Sequence, residues 1–337
     1  MIYPWHKSEF EELLERRGQL PHALLMRGPQ GIGKLAFAEA MSHALLCESP
    51  GSDGSACGRC TACGWMGQGS HPDFRRLEPE ALAVSRDAEE RGEKKKPSEE
   101  IRVEQVRGIE DFIQVTSHRG GAKVVLIHPA ETLNANAANA LLKNLEEPPP
   151  RTYFLLVANR WHQLLPTIKS RCQQIALPQP SAEAARGWLK EEGLRDPDLA
   201  LAQAGNAPLL ALQFDEDYWS QRERFLKSII GRNFDALGVA EQLRDHAPAL
   251  VVGWLQRWAF DLVSHRATGS IRYNPDFSDA IAAIAGKLAP VEAMRFQRHV
   301  VRLQRIVHHP LNARLFFEQL MLTYAALLRG KPLGLAA

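Results

Sequence analysis

The stretch from Leu24 to Ala40, LLMRGPQGIGKLAFAEA, constrains the fold more than any other part of the chain. A short apolar run stops at Gly28-Pro29, a glycine-rich turn follows, and helical spacing begins at Lys34. Gly28, Gly31, Gly33 and Lys34 have the spacing of a phosphate-binding P-loop at the strand-to-helix turn of an α/β domain. In such a loop, backbone N–H groups converge on phosphate oxygens and the lysine reaches the outer phosphates. The next residue normally offers a hydroxyl to Mg²⁺. Here it is Leu35, which has no group to coordinate a metal.

The surrounding pattern completes the α/β reading. Strand-like runs occur at 22–28, 73–79 (the weakest), 123–129, 152–159 and 173–177. Helical spacing fills the intervals: Leu35, Ala38, Met41, Ala44 and Leu45 share one face, and NANAANALLKNLEEPPP is a helix stopped by three prolines. Strands alternating with helices predict a parallel sheet covered on both faces. After LPQP the strands end. Ser181 starts a helix with an imperfect capping box, and amphipathic helices run from about Asp215 onward. The expected domains are an α/β domain over 1–178, a small helical domain over 179–213 and an all-helical domain over 214–337. Residues 80–100 are charged and nearly free of bulky apolars, which predicts a mobile surface loop. The acids around Lys94–Lys96 make a solvated loop the better reading than a basic patch.

A second defect sits opposite the P-loop. Nucleotide-hydrolysing P-loop domains carry an acid at the end of a neighbouring strand to hold the Mg²⁺ shell. In KVVLIHPAETL that slot holds His128, and the next acid, Glu131, lies beyond Pro129 and Ala130 with no direction set by the sequence. Both groups on the metal side are missing. The glycines then serve a tight turn, with weak phosphate or sulfate binding at Lys34 as the alternative, and productive Mg-ATP hydrolysis is not expected.

Four of the five cysteines, Cys47, Cys57, Cys60 and Cys63, lie in the pattern C-x9-C-x2-C-x2-C. Two short C-x2-C steps in a glycine-rich segment suit a tetrahedral zinc site, and four thiolates close it, so its role is structural. The alternative is four reduced thiols without metal. Arg59 is the only cation between Cys47 and Cys63, which argues against a zinc-dependent DNA-binding module. Cys172 stands apart and reads as a packed small residue.

The formal net charge of +2 neither requires nor excludes nucleic acid. The start MIYPWHKSEF has charge and aromatics where a leader would be apolar, and no apolar run is long enough to span a bilayer. A cytoplasmic location and no membrane partner are the expectation. Among the aromatics of the last domain, Trp254, Trp258, Phe260, Phe316 and Phe317 read as core. Arg295, Arg298, Arg302 and Arg305 fall at helical spacing on what should be a solvated face.

ALLKNLEEPPP (140–150), the Ser170-Arg171-Cys172 motif in TIKSRCQQIAL (167–177), and a four-cysteine insertion after the first P-loop helix occur together. In combination they resemble the bacterial clamp-loader subunits of the AAA+ superfamily, over the whole chain. The resemblance implies an AAA+ α/β domain, a small helical lid and an all-helical collar that assembles with other subunits. It also implies that Arg171, with Ser170 orienting its turn, reaches an ATP held by a neighbouring subunit. The motor subunits of the family, gamma or tau, keep the hydroxyl after the P-loop lysine and the acid at the strand end. They also keep a nucleotide-sensing arginine where this chain has Asn206, Ala207, Pro208 and Leu209. The departures imply a non-hydrolysing member working with motor and delta subunits in a hetero-oligomer, with the sliding clamp and primed DNA met through that complex. An active, divergent motor ATPase is the alternative. On residue chemistry alone, Arg171 paired to a nearby carboxylate is the simpler reading.

Overall fold

The structure, a computed structural model, describes residues 2–84, 97–118, 121–231, 234–307 and 312–333. It divides into two compact units, Met1–Pro180 and Ser181–Ala337.

The first unit is built on five parallel strands: β1 Ala23–Arg27, β2 Phe74–Leu77, β3 Lys123–Ile127, β4 Thr152–Ala158 and β5 Gln173–Ala176, in the order β2-β3-β4-β1-β5. β1 lies between β4 and β5, with Arg27 opposite Ala158 on one side and Ala176 on the other. The helices are α1 Lys7–Glu15, α2 Lys34–Leu46, α3 Thr61–Gly67, α4 Glu80–Val84, α5 Val103–Gln114, α6 Ala135–Glu146 and α7 Pro166–Arg171.

Side chains on a strand alternate between faces, and here both faces are buried. Leu24, Met26, Val124, Leu126, Leu155 and Val157 pack with Phe10, Phe37, Met41 and Leu45. Leu25, Val125, Ile127, Phe154 and Leu156 pack on the other side with Val106, Ile109, Leu141, Leu145 and Ile168. That two-sided burial is why β1, β3 and β4 read as unbroken apolar runs, while the edge strands β2 and β5 keep polar, partly exposed side chains. α6 starts where Asn134 accepts the Ala137 N–H at 2.8 Å and ends before the prolines, as its sequence predicts. Of the loop expected over 80–100, residues 80–84 form α4, and residues 85–96, with Lys94–Lys96, lie outside the described residues.

The second unit is helical: α8 Ala182–Glu191, α9 Pro197–Gln203, α10 Pro208–Ala211, α11 Glu216–Ile230, α12 Ala236–Gln242, α13 Pro248–Thr268, α14 Ser278–Ala285, α15 Pro290–Leu303 and α16 Ala313–Leu328. Ser181 caps α8, accepting the Ala184 N–H at 3.1 Å. A small apolar cluster of Ala185, Leu189, Ala200, Leu201 and Ala211 serves α8–α10. A larger one holds Trp254, Trp258, Phe316 and Phe317, with the Trp258 indole donating to the Tyr324 hydroxyl at 3.0 Å, while Phe260 is half-buried. Gln203 of α9 reaches the 273–274 segment, donating to Asn274 Oδ1 at 3.0 Å, and accepts from the Tyr218 hydroxyl. Arg295, Arg298, Arg302 and Arg305 are exposed, as their spacing predicts. No helix among the described residues is long and apolar enough to cross a membrane. The fold class read from the sequence, an α/β P-loop domain followed by helices, is the one observed.

Candidate functional site

Gly28 follows β1 at the carboxyl edge of the sheet, and Gly33 caps the N-terminus of α2. Gly31 and Gly33 have φ of +78° and +100°, in the region side chains avoid. Gly33 has a second reason to be glycine. A Cβ there would lie 2.3 Å from Cδ2 of Tyr3. The Tyr3 ring stacks on Trp5 with centroids 5.0 Å apart, and the Trp5 indole N–H donates to the Ile32 carbonyl at 2.8 Å. The N-terminal segment is therefore laid against the glycine loop.

Lys34 is turned back onto its own loop. Its ammonium donates to the Pro29 carbonyl, and only 3% of the residue is exposed. Burial pushes its pKa down to about 8, partly opposed by the Glu131 carboxylate. Glu131, undirected in the sequence, is held in place. Its side chain is buried, and its carboxylate accepts N–H groups of Asn159 at 3.1 and 3.2 Å and of Arg160 at 3.0 Å. No local pattern signals this, because the donors lie 28 and 29 residues further along, just past the end of β4. Both of its oxygens are thus already engaged by backbone donors. Leu35 packs against the apolar core around α2.

Arg171 is the last residue of α7, and its side chain is 34% exposed. The guanidinium pairs with the Glu146 carboxylate through Nη2 and donates through Nη1 to the Thr167 carbonyl at 3.0 Å. Glu146 ends α6 inside the Leu-Glu-Glu-Pro-Pro stretch, so two motifs separate in sequence meet here. The carboxylate partner open to Arg171 in the sequence is therefore real, and Arg171 still faces solvent. The Ser170 hydroxyl donates to the Thr167 carbonyl at 3.0 Å and lies 3.5 Å from Arg171 Nη1. Cys172 is buried, and burial pushes its thiol up to about 12, which leaves it inert at neutral pH.

The four clustered cysteines form a group able to hold a metal ion. Cys47 caps the C-terminus of α2 and Cys60 the N-terminus of α3. The Sγ atoms of Cys47 and Cys60 are 3.9 Å apart, those of Cys57 and Cys63 4.0 Å, and all four lie within 4.8 Å of one another. Thiolates about 2.3 Å from a tetrahedral zinc would stand about 3.8 Å apart, so the set fits. Three sulfurs accept backbone N–H groups: Cys47 from Cys57 at 3.3 Å, Cys57 from Cys60 at 3.4 Å, and Cys60 from Cys63 at 3.4 Å. Such donors suit negatively charged sulfur. Gly58, with φ of +70°, makes the turn between Cys57 and Cys60.

The chain matches a family model described as DNA polymerase III, delta subunit, over residues 6–181, and a second described as DNA polymerase III, delta subunit, C terminal, over residues 216–325. It is 36% identical to DNA polymerase III subunit delta' of Pseudomonas aeruginosa over 338 residues, 97% of this chain and 98% of that one. It is 32% identical to the Escherichia coli subunit delta' over 299 residues, 86% of this chain and 84% of that one. Among solved structures it is similar to a DNA polymerase III gamma subunit-related protein from Thermotoga maritima at 18% identity, covering 96% of this chain and 99% of that chain with a TM-score of 0.45. On the extent of these sequence matches, the chain belongs to the delta' (delta-prime) subunit family of the bacterial DNA polymerase III clamp loader.

Proposed function

We propose that this chain is a non-hydrolysing clamp-loader subunit that supplies Arg171 in trans to ATP bound by a neighbouring motor subunit of the gamma or tau type. Its assembly includes a delta subunit and loads the sliding clamp onto primed DNA for a DNA-directed DNA polymerase, a nucleotidyltransferase. Residues 179–213 are read as the lid and 214–337 as the collar, and the location as cytoplasmic. The observation that carries the reading is Arg171 itself: a guanidinium at the end of a surface helix, a third exposed and held by an exposed carboxylate it can exchange. An arginine is always charged and presents a planar fork to phosphate oxygens. Supplied by another subunit, it stabilises the charge of a transferring phosphoryl group only after assembly.

The chain's own loop supports the other half of the reading. Leu35 has no metal ligand, the Lys34 ammonium is bound to Pro29, Glu131 is held by backbone N–H groups, and the Tyr3 ring lies against Gly33. A bound phosphate would have to displace the first and last of these contacts. Cys47, Cys57, Cys60 and Cys63 are read as the ligands of one structural zinc, which, when bound, cross-links the segment between α2 and α3.

Arg171→Ala tests the reading in the assembled complex. ATP turnover should fall at least about tenfold at the site it faces, with the subunits still co-eluting. The isolated chain should show no ATPase and only weak Mg-ATP binding by calorimetry. Motor-like turnover by the chain alone would instead favour an active ATPase.

A further inference from the structure

α7, which carries Arg171, is six residues long. A helix of that length has no stability of its own, so tertiary contacts must set its position. One anchor is Ile168, fully buried in the core beside the sheet. Ile168 is the one buried residue within α7, and its flanking residues Leu165 and Cys172 join the same core, so the ends of the helix are fixed more firmly than the direction of its exposed face. Arg171 is held on one side by Glu146. A further contact comes from Trp161, in a short 3-10 turn, Trp161–Gln163, between β4 and α7.

The Trp161 indole receives two cations from different elements. The ammonium nitrogen of Lys169, two residues before Arg171, lies 5.6 Å from the ring centroid. The guanidinium carbon of Arg27, the last residue of β1 before Gly28, lies 4.6 Å from it. Arg27 Nε is buried and has no hydrogen-bond partner among the described residues. One aromatic side chain thus bridges the strand that ends at the glycine loop and the helix that ends at Arg171.

We propose that Trp161 is a positioning residue for Arg171, setting the orientation of α7 through the Arg27–Trp161–Lys169 stack. The inference rests on the trans role of Arg171 proposed above. A cation over an aromatic face contributes modestly to stability. Placement is more sensitive, because a group that stabilises a transition state loses as much as about a hundredfold when displaced by 1 Å. The stack therefore matters more to turnover than to folding.

The test compares Trp161→Leu, which keeps apolar bulk and removes the π face, with Trp161→Phe, which keeps a π face. Each is measured in the assembled complex. Trp161→Leu should lower kcat about three- to tenfold with KM for ATP unchanged, and Trp161→Phe should stay within about twofold of the parent. If Trp161→Leu does not co-elute with its partners, Lys169→Met carries the test, since it removes the cation on the α7 side and leaves the core intact. Its expected effect is the same fall in kcat. Normal turnover in Trp161→Leu or in Lys169→Met, beside a defective Arg171→Ala, overturns the role of Trp161 alone. Normal turnover in Arg171→Ala overturns the trans reading and this inference with it. Equal losses in Trp161→Leu and Trp161→Phe would assign the residue to packing and also overturn the proposal.

Discussion

Arg171 and Glu146 form an ion pair between the ends of α7 and α6, joining the Ser-Arg-Cys motif to the Leu-Glu-Glu-Pro-Pro motif. Both side chains are well exposed, at 34% and 49%, so solvent screens the pair. Exposed pairs contribute roughly 0–1 kcal/mol. Glu146→Gln should therefore leave the melting temperature of the chain within about 3 °C of the parent. A drop of many degrees in a thermal melt would show that the pair holds the domain together, and Arg171 would then be a structural residue.

Replacing Arg171 by lysine separates charge from shape. A lysine keeps one positive charge but loses the planar fork and the second donor that now reaches Thr167. In the assembled complex, Arg171→Lys should recover only a small part of the turnover lost in Arg171→Ala. Full recovery, read in a steady-state ATPase assay, would mean that only charge at this position matters.

Purified chain should carry one zinc per molecule, measured by elemental analysis. Removing one thiolate with Cys60→Ser should lower the metal content and destabilise the first unit, because metal binding free energy is coupled to folding of the segment. Chelation of the parent should lower its melting temperature in the same direction. A metal-free parent with an unchanged melt would return the four cysteines to reduced thiols.

Lys34 makes a pH prediction of definite sign. Its pKa is about 8 in the folded chain against 10.5 as a free side chain. Between these values the unfolded chain holds a proton that the folded chain has released, so stability rises with pH across that window. The cost of burying the charged ammonium is fully present below pH 8 and relieved above it. The difference in unfolding free energy between the parent and Lys34→Met should shift in favour of the parent by at most about 3 kcal/mol from pH 7.5 to 10.5. A flat difference in denaturant titrations would mean that Lys34 is solvated.

Restoring the missing hydroxyl should not restore a nucleotide site. Leu35→Thr supplies a metal ligand but leaves the Tyr3 ring against Gly33 and the Lys34 ammonium on Pro29. Calorimetry with Mg-ATP should find no tight binding by Leu35→Thr. A large gain from this one substitution would show that the contacts from the N-terminal segment are easily displaced.

Local information reached far in this chain. The inner strands β1, β3 and β4 are legible as short apolar runs, because strands buried on both faces have no polar side to show, whereas the edge strands β2 (FRRL) and β5 (QQIA) carry polar, partly exposed side chains and give a weaker signal. The cysteine cluster is legible because its ligands lie within 17 residues of one another, from Cys47 to Cys63. Leu35 is legible because a P-loop prescribes residue types at fixed offsets, and His128 because it directly follows a clear apolar strand run.

The partners of the key side chains were not legible. Glu131 meets N–H groups 28 and 29 residues away, Arg171 meets Glu146 from another helix, and Tyr3 meets Gly33 with α1 and β1 between them in the chain. Sequence alone determined that this is an α/β domain with an altered glycine loop, a four-cysteine site and a helical second half, since those features depend on periodicity and short spacing. Tertiary structure alone decided that Lys34 turns inward, that Glu131 is held and that Arg171 stays at the surface, because each depends on which distant element folds against it.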